Sequence, residues 1–207
     1  MLTKNIEFKN FKVRKSNKKI LHLLKKLFKE ESEILNSLKK NYKDSFDNKT
    51  VSKLRKYTDV RIIGMGGSIL GSRSIYSFLK DKIKKNFYFN DNFEKFNFTL
   101  KNKYKKKKLN LIISKSGNTL ETISNSNILI NNQVKNIFIT ENKKSYLMDL
   151  AKKLKSEIIF HNNFIGGRYS VLSEVGMLPA ELMDLKSDHY RQFNSLIKNK
   201  YFINALI

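Results

Sequence analysis

The sequence predicts an α/β fold: a five-stranded parallel sheet between layers of helices, with further helices ahead of it. Short apolar runs alternate with helical patterns across residues 59–160. These runs are continuously apolar, which is typical of strands that are buried on both faces. Glycine- and serine-rich segments follow three of the runs, where open parallel sheets bind their ligands. Together these observations predict a three-layer α/β/α arrangement.

The chain begins with a helical region, which we assign to residues 1–50. Within residues 17–42, leucine, isoleucine and phenylalanine recur at helical spacing, with lysine and glutamate between them. This pattern predicts one or two helices, and residues 49–56 predict another short one.

The main domain is assigned to residues 51–185 and contains the five predicted strands. They are 59–64 (DVRIIG), 86–90 (NFYFN), 109–114 (LNLIIS), 135–140 (KNIFIT) and 156–160 (SEIIF). Helical patterns separate the strands near residues 69–80, 118–132 and 144–154. The weakly periodic segment 91–108 predicts a short helix and then a lysine-rich loop. The chain reads as helical again from about residue 172, and we assign residues 186–207 to the helical start of a further domain.

The chain is strongly basic, with 42 lysines and arginines, 18 acidic residues and a net charge of +24 in 207 residues. Such a charge attracts nucleic-acid backbones without sequence specificity. However, only six of the basic residues are arginine, and no helix-turn-helix, zinc-knuckle or aromatic-glycine RNA motif is present. Lysine is abundant alongside asparagine, isoleucine and phenylalanine, which all have AT-rich codons. We therefore expect no specific nucleic-acid partner.

Composition also limits where the protein works and what it binds. No apolar run approaches the ~20 residues of a membrane span, and the N-terminus lacks the apolar core of a signal peptide. The chain has no cysteine, and its three histidines show no metal-ligand spacing. We expect a cytoplasmic protein with no membrane partner, no disulfide and no metal.

The first glycine-rich segment is IIGMGGSILGS, residues 62–72, which holds four of the eight glycines in the chain. Gly66 and Gly67 allow the backbone to turn tightly after the first strand, and Ser68 begins a helix. A helix N-terminus has free N–H groups that suit a phosphate. The spacing matches neither of the familiar nucleotide-binding patterns, because Ile69 stands where the third glycine of GxGxxG would be. Alone, the segment is equally consistent with a packing or turn requirement.

The second segment is ISKSGNTLET, residues 113–122, after the third strand. Three hydroxyls, a lysine and a glycine fall within six residues here: Ser114, Lys115, Ser116, Gly117 and Thr119. Hydroxyls, backbone N–H groups and a helix N-terminus together form an oxyanion cradle. The alternative is an ordinary helix cap.

The third segment is NNFIGGRYSVLSEVG, residues 162–176, after the fifth strand. Gly166 and Gly167 allow close approach of the backbone. Arg168 is a rare arginine in a lysine-rich chain, and its guanidinium suits substrate oxygens or a developing oxyanion. The alternative is a structural arginine that bonds backbone carbonyls.

Taken together, the three segments resemble the glucose-6-phosphate isomerase family, which has the sugar isomerase (SIS) fold. GMGGSILG resembles the family's GxGGSxLG loop, SKSGNTLET its SK[ST]xxTxET phosphate loop, and GGRYSVLSEVG its signature GGR[FY]S-V-x-S-x-x-G. The resemblance covers about residues 55–185. It implies a SIS-type three-layer sandwich with a five-stranded parallel sheet. One departure is Glu174, which stands where the family usually has a small residue.

The resemblance also implies an activity and roles for individual residues. The activity is isomerisation of glucose 6-phosphate and fructose 6-phosphate through an enediol, without a cofactor. Arg168 would lie near the reacting carbons and stabilise the enediolate. The residues that would line the sugar-phosphate site are Gly67, Ser68, Ser114, Lys115, Ser116 and Thr119, with the backbone of Gly117 and Asn118.

The general base of the family is a glutamate that lies, with a histidine and a lysine, beyond the GGR signature in a second SIS domain. Glu181 and His189 follow the signature too closely to match that pair. The chain therefore resembles the N-terminal half of the enzyme. We expect it to bind a sugar phosphate and to form a homodimer or associate with a C-terminal half. The alternative is a non-catalytic SIS domain that binds a sugar phosphate as a regulatory or interaction module.

Overall fold

The computed structural model describes residues 17–93, 107–131 and 133–206. The described residues up to Lys43, together with those from Asp188 onward, form one compact unit, and Asp44–Ser187 form another. Most of the segment predicted to be a short helix and a lysine-rich loop lies outside the described residues. The sequence-based division of the chain at residues 50 and 185 stays a prediction.

Helices and strands alternate through most of the described chain. The α-helices are α1 (Lys18–Lys29), α2 (Glu33–Ser37), α3 (Asn48–Leu54), α4 (Leu70–Leu79), α5 (Leu120–Leu129), α6 (Tyr146–Lys153), α7 (Glu174–Leu182), α8 (Phe193–Leu196) and α9 (Lys200–Leu206). The strands are β1 (Asp59–Gly64), β2 (Asn86–Asn90), β3 (Lys108–Ile113), β4 (Lys135–Thr140) and β5 (Glu157–Phe160). These bounds confirm all five predicted strands, and three of them begin and end at the predicted residues.

The smaller unit contains α1, α2, α8 and α9. The side chain of Asn17 caps α1 by accepting hydrogen bonds from the backbone of Lys19 and Ile20, as a polar residue at that position is expected to do. Phe28 of α1 and Phe193 of α8 pack edge to face, with their ring centroids 5.4 Å apart. The leucine pattern within residues 17–42 predicted one or two helices, and the structure has two there, α1 and α2.

The larger unit is built around one sheet with the order β2-β1-β3-β4-β5. Every neighbouring pair is parallel. Asp59 of β1 lies opposite Asn86 on one side and Lys108 on the other, which fixes the register of the three strands at their amino ends.

Side chains of the central strands alternate between two apolar layers. Ile62 is buried in the layer shared with α3, α4 and α7, whereas Ile63 is buried in the layer shared with α5 and α6. Full burial of an isoleucine side chain contributes about 1.5–3 kcal/mol, so a continuously apolar strand is stabilised from both faces. This arrangement is the predicted three-layer α/β/α sandwich. No helix in the described part of the chain has the length and apolar character needed to cross a membrane.

The strand order reverses at β1, because β2 lies on one side of it and β3 on the other. At such a switch point the loops that follow the two adjacent strands diverge and leave a crevice at the carboxyl edge of the sheet. The first two sequence motifs follow β1 and β3, so the topology brings them to the two sides of this crevice.

Candidate functional site

An open cleft of about 400 Å³ lies at the carboxyl edge of the sheet. It joins the segments that follow β1, β3 and β4. Its lining residues are Ser68, Lys115, Ser116, Thr119, Glu141 and Lys143. Four of them belong to the set predicted from the sequence, and Glu141 and Lys143 were not predicted.

The loop after β3 is organised by hydroxyl groups. The buried Ser114 hydroxyl lies 2.9 Å from the Thr119 hydroxyl and accepts a hydrogen bond from the Gly117 N–H at 3.2 Å. Ser116 Oγ accepts from the Asn118 N–H at 3.2 Å and lies 3.4 Å from Thr119 Oγ1. Ser116 and Thr119 therefore line the cleft, whereas Ser114 supports the loop from inside the fold.

Gly117 and Asn118 fix the same loop against α6. Gly117 has φ +66°, a conformation that glycine adopts easily, and a Cβ there would lie 2.2 Å from Ser145 Oγ. The Asn118 side chain accepts a hydrogen bond from the Tyr146 N–H at 2.9 Å. Both residues therefore hold the loop in place through their contacts with Ser145 and Tyr146.

Lys115 connects this loop to the third motif. Its ammonium donates hydrogen bonds to the carbonyls of Asn163 and Ile165 at 2.9 and 3.0 Å. It also lies 3.3 Å from a carboxylate oxygen of Glu141. The side chain lines the cleft while it holds the segment that leads to Gly166 and Gly167.

Glu141 is the first residue after β4, and its carboxylate forms ion pairs with two lysines. It is 5% exposed and pairs with Lys143 as well as Lys115. Burial raises the pKa of Glu141, but the hydrogen bonds and charges of Lys143 and Lys115 outweigh burial and hold it below its usual value. Glu141 is therefore ionised at neutral pH. Glu141 and Lys143 could have been proposed from the sequence, because they follow a predicted strand at the same edge of the sheet as the other motifs.

The first and third motifs pack backbone against backbone. A Cβ on Gly67 would lie 2.0 Å from the carbonyl oxygen of Gly167 and 2.9 Å from the Arg168 nitrogen. The Ser170 hydroxyl donates to the Gly167 carbonyl at 2.8 Å and lies 3.4 Å from the Gly67 carbonyl oxygen. Gly67 thus brings the two loops together, and its neighbour Ser68 lines the cleft.

Arg168 is exposed on the third loop. Within the described ranges its guanidinium has no hydrogen-bond or ion-pair partner, so it bonds none of their carbonyls. Its backbone lies against Gly67, and the residue after Gly67, Ser68, lines the cleft. This leaves the charge available for a ligand.

Comparison with known proteins places these motifs in a family. The sequence profile described as phosphoglucose isomerase matches residues 11–204. The chain belongs to the phosphoglucose isomerase family.

Two curated relatives within the phosphoglucose isomerase family show the extent of the similarity. Glucose-6-phosphate isomerase of Methanocaldococcus jannaschii is 34% identical over an alignment that spans 74% of this chain and 42% of the relative. A probable glucose-6-phosphate isomerase of Methanococcus maripaludis is 32% identical, over 91% of this chain and 48% of the relative. The chain thus spans about half the length of the curated relatives it matches.

The fold is shared with a protein of known structure. A crystal structure of a hypothetical protein from Thermus thermophilus superposes with a TM-score of 0.62 at 22% identity. The match covers 87% of this chain and 46% of that one. The three-layer sandwich described above is therefore a known architecture.

The residue that departs from the phosphoglucose isomerase signature, Glu174, forms a buried pair. Glu174 and His161 side chains are both 1% exposed, and Nδ1 of His161 lies 2.9 Å from Oε1 of Glu174. That contact is short but is not aligned as a hydrogen bond. The same oxygen accepts a hydrogen bond from the Asn162 N–H at 2.8 Å. The pair closes the base of the third loop, and no sequence signal pointed to it because His161 shows no ligand spacing.

The acidic residue that follows the phosphoglucose isomerase signature, Glu181, lies away from the cleft. Its carboxylate accepts from the Ser187 N–H at 2.8 Å and lies 3.8 Å from Arg55. Arg55 precedes β1, so Glu181 is at the amino edge of the sheet, opposite the motifs. His189 belongs to the other compact unit.

Proposed function

We propose that this chain carries the sugar-phosphate-binding part of a glucose-6-phosphate isomerase, which interconverts glucose 6-phosphate and fructose 6-phosphate through an enediol. The observation that carries the proposal is the cleft at the switch point of the sheet. It brings Ser68 of the first motif beside Lys115, Ser116 and Thr119 of the second.

The phosphate is held by the side of the cleft formed by the second motif. Hydroxyls of Ser116 and Thr119 donate to phosphate oxygens, Ser68 does so from the facing loop, and the charge of Lys115 lies beside them. The N-terminus of α5 begins directly after Thr119 and adds a partial positive charge. Ser114, Gly117, Asn118 and Gly67 act through the loop, which they hold in shape.

Arg168 acts on the reacting end of the sugar. Removal of a proton next to the carbonyl places negative charge on an enediolate oxygen, and a fixed cation stabilises that charge more in the transition state than in the substrate. Arg168 carries a guanidinium without a described partner, and the Gly67–Gly167 contact fixes its backbone. No cofactor is needed for this chemistry.

The proton itself is moved by a group from outside this chain. Glu141 is the one carboxylate that lines the cleft in the part of the chain that the structure describes. Its lowered pKa and its two lysine partners make it a weak base, whereas a general base works best with a pKa near the operating pH. The curated relatives are about twice as long, which leaves room for the base.

Calorimetric titration with fructose 6-phosphate tests the binding site. Ser116→Ala removes a hydroxyl that lines the cleft, and we expect the affinity to fall about tenfold, since a hydrogen bond to a charged group is worth about 1.5–3 kcal/mol. Ser77→Ala is the control, because Ser77 is an exposed serine on α4. Equal affinities of the two variants would contradict the site. DNA at physiological salt should not compete with the sugar phosphate.

A coupled isomerase assay separates the enzyme from the alternative of a non-catalytic sugar-phosphate module. We expect little turnover from this chain alone and substantial turnover when a polypeptide equivalent to the C-terminal half of the relatives is added. In the complemented enzyme, Arg168→Ala should lower kcat more than it raises KM. Sugar-phosphate binding without turnover after complementation would favour the module.

We propose further that the chain works in the cytoplasm, as a homodimer or bound to a C-terminal half. Light scattering of the purified chain, alone and mixed with that half, measures its mass. A monomer in both samples would contradict the association.

A further inference from the structure

Two lysines lie at the cleft, on either side of the buried Glu141 carboxylate. Lys115 contacts one oxygen of that carboxylate, and Lys143 contacts the other. The three charges add up to one net positive charge at the place where the phosphate would bind. The two lysines differ in how many of their N–H groups are already used.

The donors of Lys115 are filled. An ammonium has three N–H groups. The carbonyl of Asn163, the carbonyl of Ile165 and the carboxylate of Glu141 lie 2.9, 3.0 and 3.3 Å from its nitrogen. A ligand oxygen would have to displace one of these partners, and both Ile165 and Glu141 are buried residues.

The donors of Lys143 are mostly free. Its side chain is 56% exposed, and among the described residues its ammonium pairs with Glu141 alone. Two N–H groups are therefore open to a ligand. Glu141 is nearly inaccessible to solvent, so it fixes the position of the Lys143 ammonium at the lining of the cleft. A lysine that is held in place loses less side-chain entropy on binding than a freely moving one.

We propose that Lys143, positioned by Glu141, is the side-chain cation that contacts the phosphate of the ligand. Lys115 instead sets the spacing between the hydroxyl loop and the third-motif loop. The proposal rests on the proposed function of the cleft, and it adds a specificity for doubly charged phosphate esters.

Lys143→Gln tests the contact, and Lys144→Gln is the matched control. Lys144 is the next residue, is exposed and does not line the cleft, so both variants lower the net charge of the chain equally. We expect Lys143→Gln to weaken binding of fructose 6-phosphate about tenfold and to reduce its salt dependence, because a charge-assisted hydrogen bond is lost. Lys144→Gln should bind like the unsubstituted chain. Equal losses in the two variants would overturn the proposal.

Inorganic phosphate as a second ligand separates this proposal from the proposed function. If the chain binds phosphate but not fructose 6-phosphate, the proposed function fails, and the two lysine variants still decide the phosphate contact. A chain that binds neither ligand overturns both proposals.

Lys115→Met tests the other half of the assignment. We expect faster amide hydrogen exchange across residues 163–168, because two carbonyls of that segment lose their donor. Lys143→Gln should leave that exchange unchanged. Weaker phosphate binding by Lys115→Met with unchanged exchange would reverse the roles of the two lysines.

Discussion

The loop of residues 114–119 and the contact between the first and third motifs are both at the carboxyl edge of the sheet, but they are held together differently. In the loop, hydroxyl and amide groups satisfy one another through hydrogen bonds. In the contact, two glycines of the first motif allow close approach of the third motif: Gly67 meets the Gly167 backbone and Gly71 meets Val171.

The difference determines which substitutions each region tolerates. One hydrogen bond contributes about 1 kcal/mol net, so the loop loses little when one hydroxyl is removed. The glycine contact has no space for an added carbon, since a Cβ at Gly67 would overlap backbone atoms that cannot rotate away, and a Cβ at Gly71 would overlap Val171. We therefore expect an atom added in the contact to cost more stability than a hydroxyl removed from the loop.

Gly67→Ala is expected to have the largest effect. Its Cβ would lie 2.0 Å from the Gly167 carbonyl oxygen, so the two loops must move apart. Overpacking of this kind costs about 3 kcal/mol, which lowers the melting temperature by roughly 6–12 °C in a chain of this size. The matched control is Gly167→Ala on the other side of the contact, where an added Cβ meets nothing within 4 Å. Similar melting temperatures for the two variants would mean that the two loops can move apart at little cost in stability.

Glu174→Ala is expected to be the next largest, because it opens the base of the third loop. It removes the acceptor of the Asn162 N–H and the carboxylate that lies against the buried His161 ring. A buried group left unsatisfied costs about 1–3 kcal/mol. Asp149→Ala is the control, since Asp149 is also an acidic residue in the first turn of a helix but is exposed. Urea unfolding measures both variants, and a loss at Glu174 no larger than at Asp149 would show that the buried pair is dispensable.

The sheet and the motif loops could be predicted because their signals are local. A strand such as Asp59–Gly64, which is buried at five of its six positions, has one stable place, between two layers of helices. Helix ends were less certain: the pattern near residues 118–132 predicted a longer helix than α5, which ends at Leu129 and continues into an extended Ile130. Asparagine follows at position 131, and its side chain competes with helical hydrogen bonds.

The partners within the site could not be predicted because they are distant in sequence. Lys115 bonds carbonyls 48 and 50 residues away, and nothing in the motif SKSG specifies them. Glu174 was visible as a departure from the signature, yet its pairing with His161 depends on how β5 and α7 meet in space. The residue types in the motifs predicted where the cleft lies. Which residues line it and which ones hold its loops in place could be assigned only from the contacts in the structure.

Ser114→Ala removes one bond from the hydroxyl loop and is expected to have a smaller effect. The Gly117 N–H loses its side-chain acceptor and Thr119 loses a neighbour, at a cost of about 1 kcal/mol. Fructose 6-phosphate should bind a few fold more weakly, because Ser114 shapes the loop without lining the cleft. Melting and titration of this variant beside Ser77→Ala measure both effects. A loss of binding as large as that of Ser116→Ala would place Ser114 in contact with the ligand.

Glu141→Gln is expected to have the smallest effect, and one that depends on pH. Because the pKa of Glu141 is held below its ordinary value of 4.5 in the folded chain, ionisation stabilises the fold above that value. This contribution is lost as the pH falls through the lower folded pKa. Urea unfolding at pH 7 should therefore show Glu141→Gln to be less stable than the unsubstituted chain, and the difference should shrink as the pH is lowered toward about 3. The amide keeps the shape of the side chain but not its charge, so a difference that stays constant with pH would arise from packing. In that case Lys115 would be held at the cleft by its two carbonyl contacts, and the loop would depend less on charge than the ion pairs of Glu141 suggest.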